Sequence, residues 1–192
     1  LIDINNGYDF IQKDIRVENG IIKEIGENLK KDENEEVLDI KGNIITAGFI
    51  DIHTHVYHGE TAIGIDPDKV GVELGVTSVI DAGTSGADTF EDFYNRIIKN
   101  SKTKVFAFLN IASLGLKTLN ELNDMSNIDF EKIKKIVEKY KGTIVGIKAR
   151  ASASVVGENG IAPIKKAKEI AKELGIPIMV HIGNAPPKVE EV

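Results

Sequence analysis

Gly48-Phe49-Ile50-Asp51-Ile52-His53-Thr54-His55 (residues 48–55) is the stretch on which the fold turns. It reads as an apolar strand that ends in histidines, and it opens a run in which strands alternate with helices. Alternate side chains on a strand share a face, so Asp51, His53 and His55 point one way and Ile50, Ile52 and Thr54 the other. A polar face backed by an apolar one is what a barrel strand lying under helices requires. Two imidazoles about 6.6 Å apart on one face can reach a single metal ion. His-x-His by itself is a weak motif, met also as two satisfied core histidines. At the C-terminal end of the first barrel strand, where barrel active sites lie, it is a strong one.

Working outward, further strands are expected at 78–81, 104–111, 143–149 and 177–181. Between them lie helices with recognisable ends. Asp66-Pro67 opens one and Gly75 stops it, and a second runs from Phe90 to Lys99. Ile133, Ile136, Val137 and Tyr140 form an apolar stripe ending at Gly142. Ile164, Ala167, Ile170, Ala171 and Leu174 form another between Pro163 and Gly175. Repeated strand–helix units imply a parallel sheet covered by helices. Five units over residues 47–192 average about 29 residues, close to one-eighth of the ~250 residues of a (β/α)8 TIM barrel. The fold class read from this is α/β, a TIM barrel with only about five units present. A complete open doubly wound sheet is the alternative, but no Gly-x-Gly-x-x-Gly follows the first strand.

Residues 1–46 read differently, as strands and turns that form one half of a small β-sandwich domain, with the barrel portion at 47–192. Leu1–Ile4 is an expected strand. Asn19-Gly20 joins two alternating segments and predicts a hairpin with both turn residues at positive φ. Lys41-Gly42-Asn43 between 37–40 and 44–46 predicts a second hairpin. The opening at Leu1 and the stop at Val192 suggest a piece of a longer protein.

The 192 residues carry 24 Lys+Arg against 30 Asp+Glu, a net charge of −6, which speaks against general nucleic-acid binding. No apolar run approaches the ~18 residues of a membrane helix. The absence of cysteine excludes disulfides, zinc ribbons and thiol nucleophiles, and fits a cytoplasmic protein. Any transition metal must therefore be held by His, Asp, Glu or a modified Lys.

Lys148, in the otherwise apolar strand Ile144-Val145-Gly146-Ile147-Lys148-Ala149, shares a face with Ile144 and Gly146. Taken alone it is a snorkelling lysine at a strand end. Pointing into a barrel, its ammonium is costly, its pKa falls, and the neutral amine can add carbon dioxide to give a metal-bridging carbamate. His181 closes Ile178-Met179-Val180-His181 in the same manner. Ligand-capable side chains thus collect at strand C-termini. His58 lies beyond its strand, in a loop. Arg150, one of three arginines, follows Lys148 by two residues and is a candidate to hold a substrate carboxylate, with a loop salt bridge equally open. Tyr57, Asn110 and Asp81 are candidates to line the pocket, although capping and loop-stabilising roles are the plainer reading.

Residues 48–55, with Asp81-Ala82-Gly83-Thr84-Ser85-Gly86-Ala87-Asp88, Leu109-Asn110-Ile111-Ala112-Ser113, Gly146-Ile147-Lys148-Ala149-Arg150 and Ser154-Val155-Val156-Gly157-Glu158-Asn159-Gly160, resemble the amidohydrolase superfamily, and within it the amidohydrolase/deacetylase, dihydroorotase-like subgroup. The resemblance covers essentially the whole chain. It implies that His53 and His55 bind one metal, that Lys148 is carboxylated and bridges two divalent ions (zinc among the candidates), and that His181 binds the second. It also implies a further metal-binding His and a general-base Asp on strands beyond residue 192, so that the 192-residue piece alone is expected to be inactive. A hydroxide between the metals would attack an amide, cyclic amide or ester carbonyl of a small-molecule substrate. Adenine or purine deamination is the competing enzyme reading, and a non-catalytic barrel scaffold is the alternative of another class. A homo-oligomer is compatible with the sequence but not legible in it.

Overall fold

A computed structural model describes all of residues 1–192, which divide into two compact units, Leu1–Gly48 and Phe49–Val192.

In the first unit, β1 (Asp14–Glu18) and β2 (Ile21–Gly26) pair antiparallel. Asn19 and Gly20 both adopt positive φ (52° and 76°), as an Asn-Gly hairpin turn requires. The second expected hairpin does not form. Its turn is present, with Lys41 and Gly42 at φ 51° and 78° and Asn43 N–H donating to the Ile40 carbonyl at 3.0 Å, but the flanks carry no ladder. Val37, Leu38 and Ile44 are all exposed, so neither flank has a buried face to fix a register. The Leu1–Ile4 strand is likewise reduced to isolated bridges at Ile2 and Asp3, followed by a 3-10 turn at Ile4–Asn6. Ile2 N–H donates to the Ile45 carbonyl at 2.9 Å.

The second unit is a parallel five-stranded sheet in sequence order: β3 (Phe49–Thr54), β4 (Val76–Gly86), β5 (Lys104–Asn110), β6 (Ile144–Ala151) and β7 (Ile178–Ile182). Strands in simple order with helical crossovers are the arrangement of successive barrel units rather than of a doubly wound sheet, whose order reverses.

The helices are α1 (Pro67–Val70), α2 (Phe90–Arg96), α3 (Phe130–Lys139), α4 (Ala153–Val156) and α5 (Ala162–Leu174). Asp66 caps α1 by accepting from Asp68 N–H at 2.9 Å. The helix expected to reach Gly75 breaks at Gly71, where a Cβ would strike the Thr103 side chain. Val72 N–H instead donates to Thr103 Oγ1 at 3.1 Å, and a 3-10 turn (Val72–Leu74) completes the segment. Asp129 caps α3 through Lys132 N–H, and Gly175, at φ 66°, ends α5.

The core lies between sheet and helices. Val79, Leu109 and Ile147 from the central strands pack with Phe90 and Phe93 of α2, Ile133 of α3 and Ile170 of α5. Each such side chain contributes about 1.5–3 kcal/mol by burial. Strand β4 extends five residues beyond the expected Asp81. Its extension, Ala82-Gly83-Thr84-Ser85-Gly86, reads as loop because of its glycines. The glycines are there for close approach: a Cβ on Gly83 would lie 2.5 Å from Lys148 Cβ, and one on Gly86 would collide with the Ala112 carbonyl.

Candidate metal centre

His53, His55 and His181 lie at the C-terminal ends of β3 and β7, and Lys148 lies in the C-terminal half of β6, which runs on to Ala151. His53 is the penultimate residue of β3 and His55 the first beyond it, with ring centroids 5.7 Å apart at 74°. Register pairs Asn110 with Lys148 and Arg150 with His181, so β5, β6 and β7 end side by side.

Lys148 is 1% exposed, and its Nζ has no hydrogen-bond partner. The glycine at position 83 leaves the space its stem occupies. Burial, then the nearby Arg150 charge, pushes its pKa down to about 8, with Asp81 and Glu121 pulling the other way. His55 is pushed down to about 4, by burial first and then by the charges of His53, Lys148, Arg150 and His181. His53 and His181 are also lowered, each by burial first and by Lys148 next. These four side chains therefore share one electrostatic neighbourhood in which neutral nitrogen donors are favoured.

No three His, Asp or Glu side chains converge closely enough to hold an ion. The donor set consists of two neighbouring imidazoles, a third on β7 and the amine of Lys148. Divalent-metal chemistry fits that set because of the amine. An unpartnered buried nitrogen with a depressed pKa is costly as it stands, and conversion to a carbamate would give it oxygen donors for a cation.

The other three predicted residues are turned to structure. Tyr57 is 1% exposed, stacked on Phe93 at 4.8 Å, and its hydroxyl donates to Asp92 Oδ2 at 2.6 Å. The ring and its hydroxyl are thus both engaged by α2. Asn110 is buried, donating from Nδ2 to the Gly83 carbonyl (3.0 Å) and accepting from Ala112 N–H at Oδ1 (2.9 Å). Both ends of its amide brace the loops. Arg150 forms a two-pronged pair with Glu121, Nε–Oε1 2.7 Å and Nη2–Oε2 2.6 Å. Glu121 thus occupies the edge of the guanidinium expected to receive a substrate carboxylate, so the loop salt bridge is the arrangement present. His58 is half-buried in the turn after β3.

Two residues near the site were missed. Glu121, whose side chain is 2% exposed, gives no sequence signal within the polar loop that holds it. Thr84 hydrogen-bonds His55 (Oγ1 to Nδ1, 2.8 Å) and was legible only as part of the 81–88 segment.

A parallel barrel-type sheet in simple strand order, with His and Lys nitrogens toward its strand C-termini, defines an α/β protein of the barrel class. Residues 44–192 match the amidohydrolase family profile, and the chain belongs to that family. It is 42% identical over 176 residues to a deacetylase of Brucella anthropi, covering 90% of this chain and 44% of that protein. Among solved structures it superposes on an adenine deaminase (TM-score 0.88, 38% identity, 93% of this chain and 49% of that one). It also superposes on a dihydroorotase (TM-score 0.84, 36% identity, 94% and 49%). The five-stranded sheet accordingly matches part of a TIM barrel. The chain spans about half the length of the curated relatives it matches.

Proposed function

We propose that the intact protein is a metal-dependent hydrolase that cleaves an amide, cyclic amide or ester bond in a small molecule, by deacylation or by ring opening. The observation that carries this reading is Lys148, an amine buried without a partner in the C-terminal half of β6, within the electrostatic reach of His53, His55 and His181. His53 and His55 would hold one divalent ion, His181 a second, and Lys148, as its carbamate, would join them. Zinc suits these donors. When bound, such ions supply a nucleophile at neutral pH and polarise the scissile carbonyl.

The chain's own residues prepare the site. Partial desolvation and neighbouring positive charge lower the imidazole pKa values, which favours the neutral rings with a lone pair to offer. The depressed pKa of Lys148 raises the fraction of neutral amine able to take up carbon dioxide. Glu121 holds Arg150 beside these groups, where its positive charge further disfavours protonation of Lys148 and His55.

The identity to a deacetylase favours release of an acyl group from a small acylated acid. Likeness to an adenine deaminase structure favours a second reading, hydrolytic loss of ammonia from a purine. The intact protein, loaded with zinc in the presence of bicarbonate, should be offered N-acyl amino acids, acyloxy acids, cyclic imides and adenine. Carboxylate release that a chelator abolishes supports the first reading, and ammonia release from adenine supports the second. Turnover of none of them by the fully loaded protein would contradict both.

A further inference from the structure

Three hydrogen bonds converge on the Asp81 carboxylate. Oδ2 accepts from Val56 N–H (2.8 Å) and from the Thr84 hydroxyl (2.7 Å), and Oδ1 accepts from Thr84 N–H (2.7 Å). Asp81 and Thr84 are both 0% exposed. Thr84 Oγ1 in turn lies 2.8 Å from His55 Nδ1.

Counting hydrogens assigns the direction of each bond. With three hydrogen bonds donated to it, Asp81 is in the acceptor-only carboxylate form and has no hydrogen to give. The single hydrogen of the Thr84 hydroxyl therefore goes to Asp81. The hydroxyl oxygen is left as an acceptor, and the only hydrogen it can take from His55 is one on Nδ1. The ring's other nitrogen, Nε2, then carries a free lone pair.

We infer that Asp81 and Thr84 are positioning residues that fix His55 as the Nδ1–H tautomer and leave its Nε2 to bind the ion. Asp81 also ties down both chain segments involved, holding Val56 N–H one residue after His55 and Thr84 N–H in β4. The ring is oriented by two neighbouring strands at once. His53 has no hydrogen bond to either ring nitrogen, so the two imidazoles are held unequally and His55 is the preorganised one. Outer partners of this kind typically change metal affinity by about 10–100-fold when removed. The ligand half of the inference rests on the hydrolase reading, whereas the tautomer does not.

The test uses intact protein labelled with 15N-histidine, stripped with chelator for NMR and then reloaded with zinc alone. The wild type is expected to show His55 as the Nδ1–H tautomer. Thr84→Val keeps the side-chain shape and removes the acceptor. It should release His55 to a mixture of tautomers and weaken zinc retention about 10–100-fold. Thr84→Ser should restore both. An Nε2–H tautomer in the wild type overturns the relay, as does an unchanged tautomer and zinc retention in Thr84→Val. If Thr84→Val does not fold, the wild-type spectrum and Thr84→Ser still decide. A wild-type Nδ1–H tautomer in a protein that retains no zinc keeps the tautomer assignment and overturns the ligand role together with the hydrolase reading. An Nε2–H tautomer with zinc retained overturns the relay alone.

Discussion

The inner strands β4, β5 and β6 and the outer strands β3 and β7 are built of similar residues and live in opposite surroundings. Val79, Leu109 and Ile147 on the inner strands are buried, whereas Ile50 and Ile52 on β3 are 58% and 61% exposed. The candidate ligands divide along the same line. Lys148 is enclosed at the centre, and His53 and His181 stand exposed on the margins. Fixed geometry therefore comes from the middle of the sheet, through glycine-made space and buried hydrogen bonds. His55 is the point where the two regimes meet, because Thr84 of β4 holds a ring that follows β3.

The largest effect that would break this contrast is at Lys148. Lys148→Met should abolish turnover and retention of the second ion. The metal-free protein should nonetheless be as stable or more stable, because an unpartnered buried amine costs about 1–3 kcal/mol. A variant that loses stability as well as activity would mean the amine has a structural partner. Next is Glu121→Ala, which strands the Arg150 guanidinium. Breaking a buried pair costs about 3–5 kcal/mol, and the 19% exposure of the Arg150 side chain places this one near the lower end. Denaturant midpoints measure both.

Smaller effects sharpen the comparison. In the 192-residue chain, Ile147→Ala should cost about 2–5 kcal/mol, whereas Ile52→Ala should stay within about 0.5 kcal/mol. Equal losses at the two positions would show that β3 is covered as fully as β6. A pH dependence adds a separate test. His55 titrates at about 4 when folded against an ordinary 6.5, so between those values the unfolded chain holds a proton the folded chain lacks. Its contribution is complete above pH 6.5 and is lost as pH falls toward 4. In the metal-free protein, His55→Asn should flatten the fall in stability over that window, as read from unfolding midpoints at successive pH values.

Much of the second unit was legible because its signals are local and repeated. Asp66-Pro67, the Ile133 stripe and Gly175 each mark a helix boundary or face through physics confined to one turn. Lys148 stood out only in company: alone it reads as a snorkelling lysine, and the histidines gathered at neighbouring strand ends are what mark it. Thr84 was not legible, since a hydroxyl in a glycine-rich segment resembles any loop until β4 is seen running past Asp81. Glu121 was invisible for the reason that makes it effective: its partner is 29 residues away. The second hairpin was over-read, because turn chemistry at Lys41-Gly42 sets a reversal but cannot supply the buried face that strands need.

The most direct test of the central claim is the metal content of the intact protein purified without chelator, paired with native mass spectrometry of the undigested wild type and of Lys148→Met. About two ions per chain, with the wild type but not Lys148→Met carrying the extra mass of one carbon dioxide, is the predicted result. A chain that takes up no divalent ion after reconstitution with zinc and bicarbonate, and whose Lys148 remains a free amine, would contradict it.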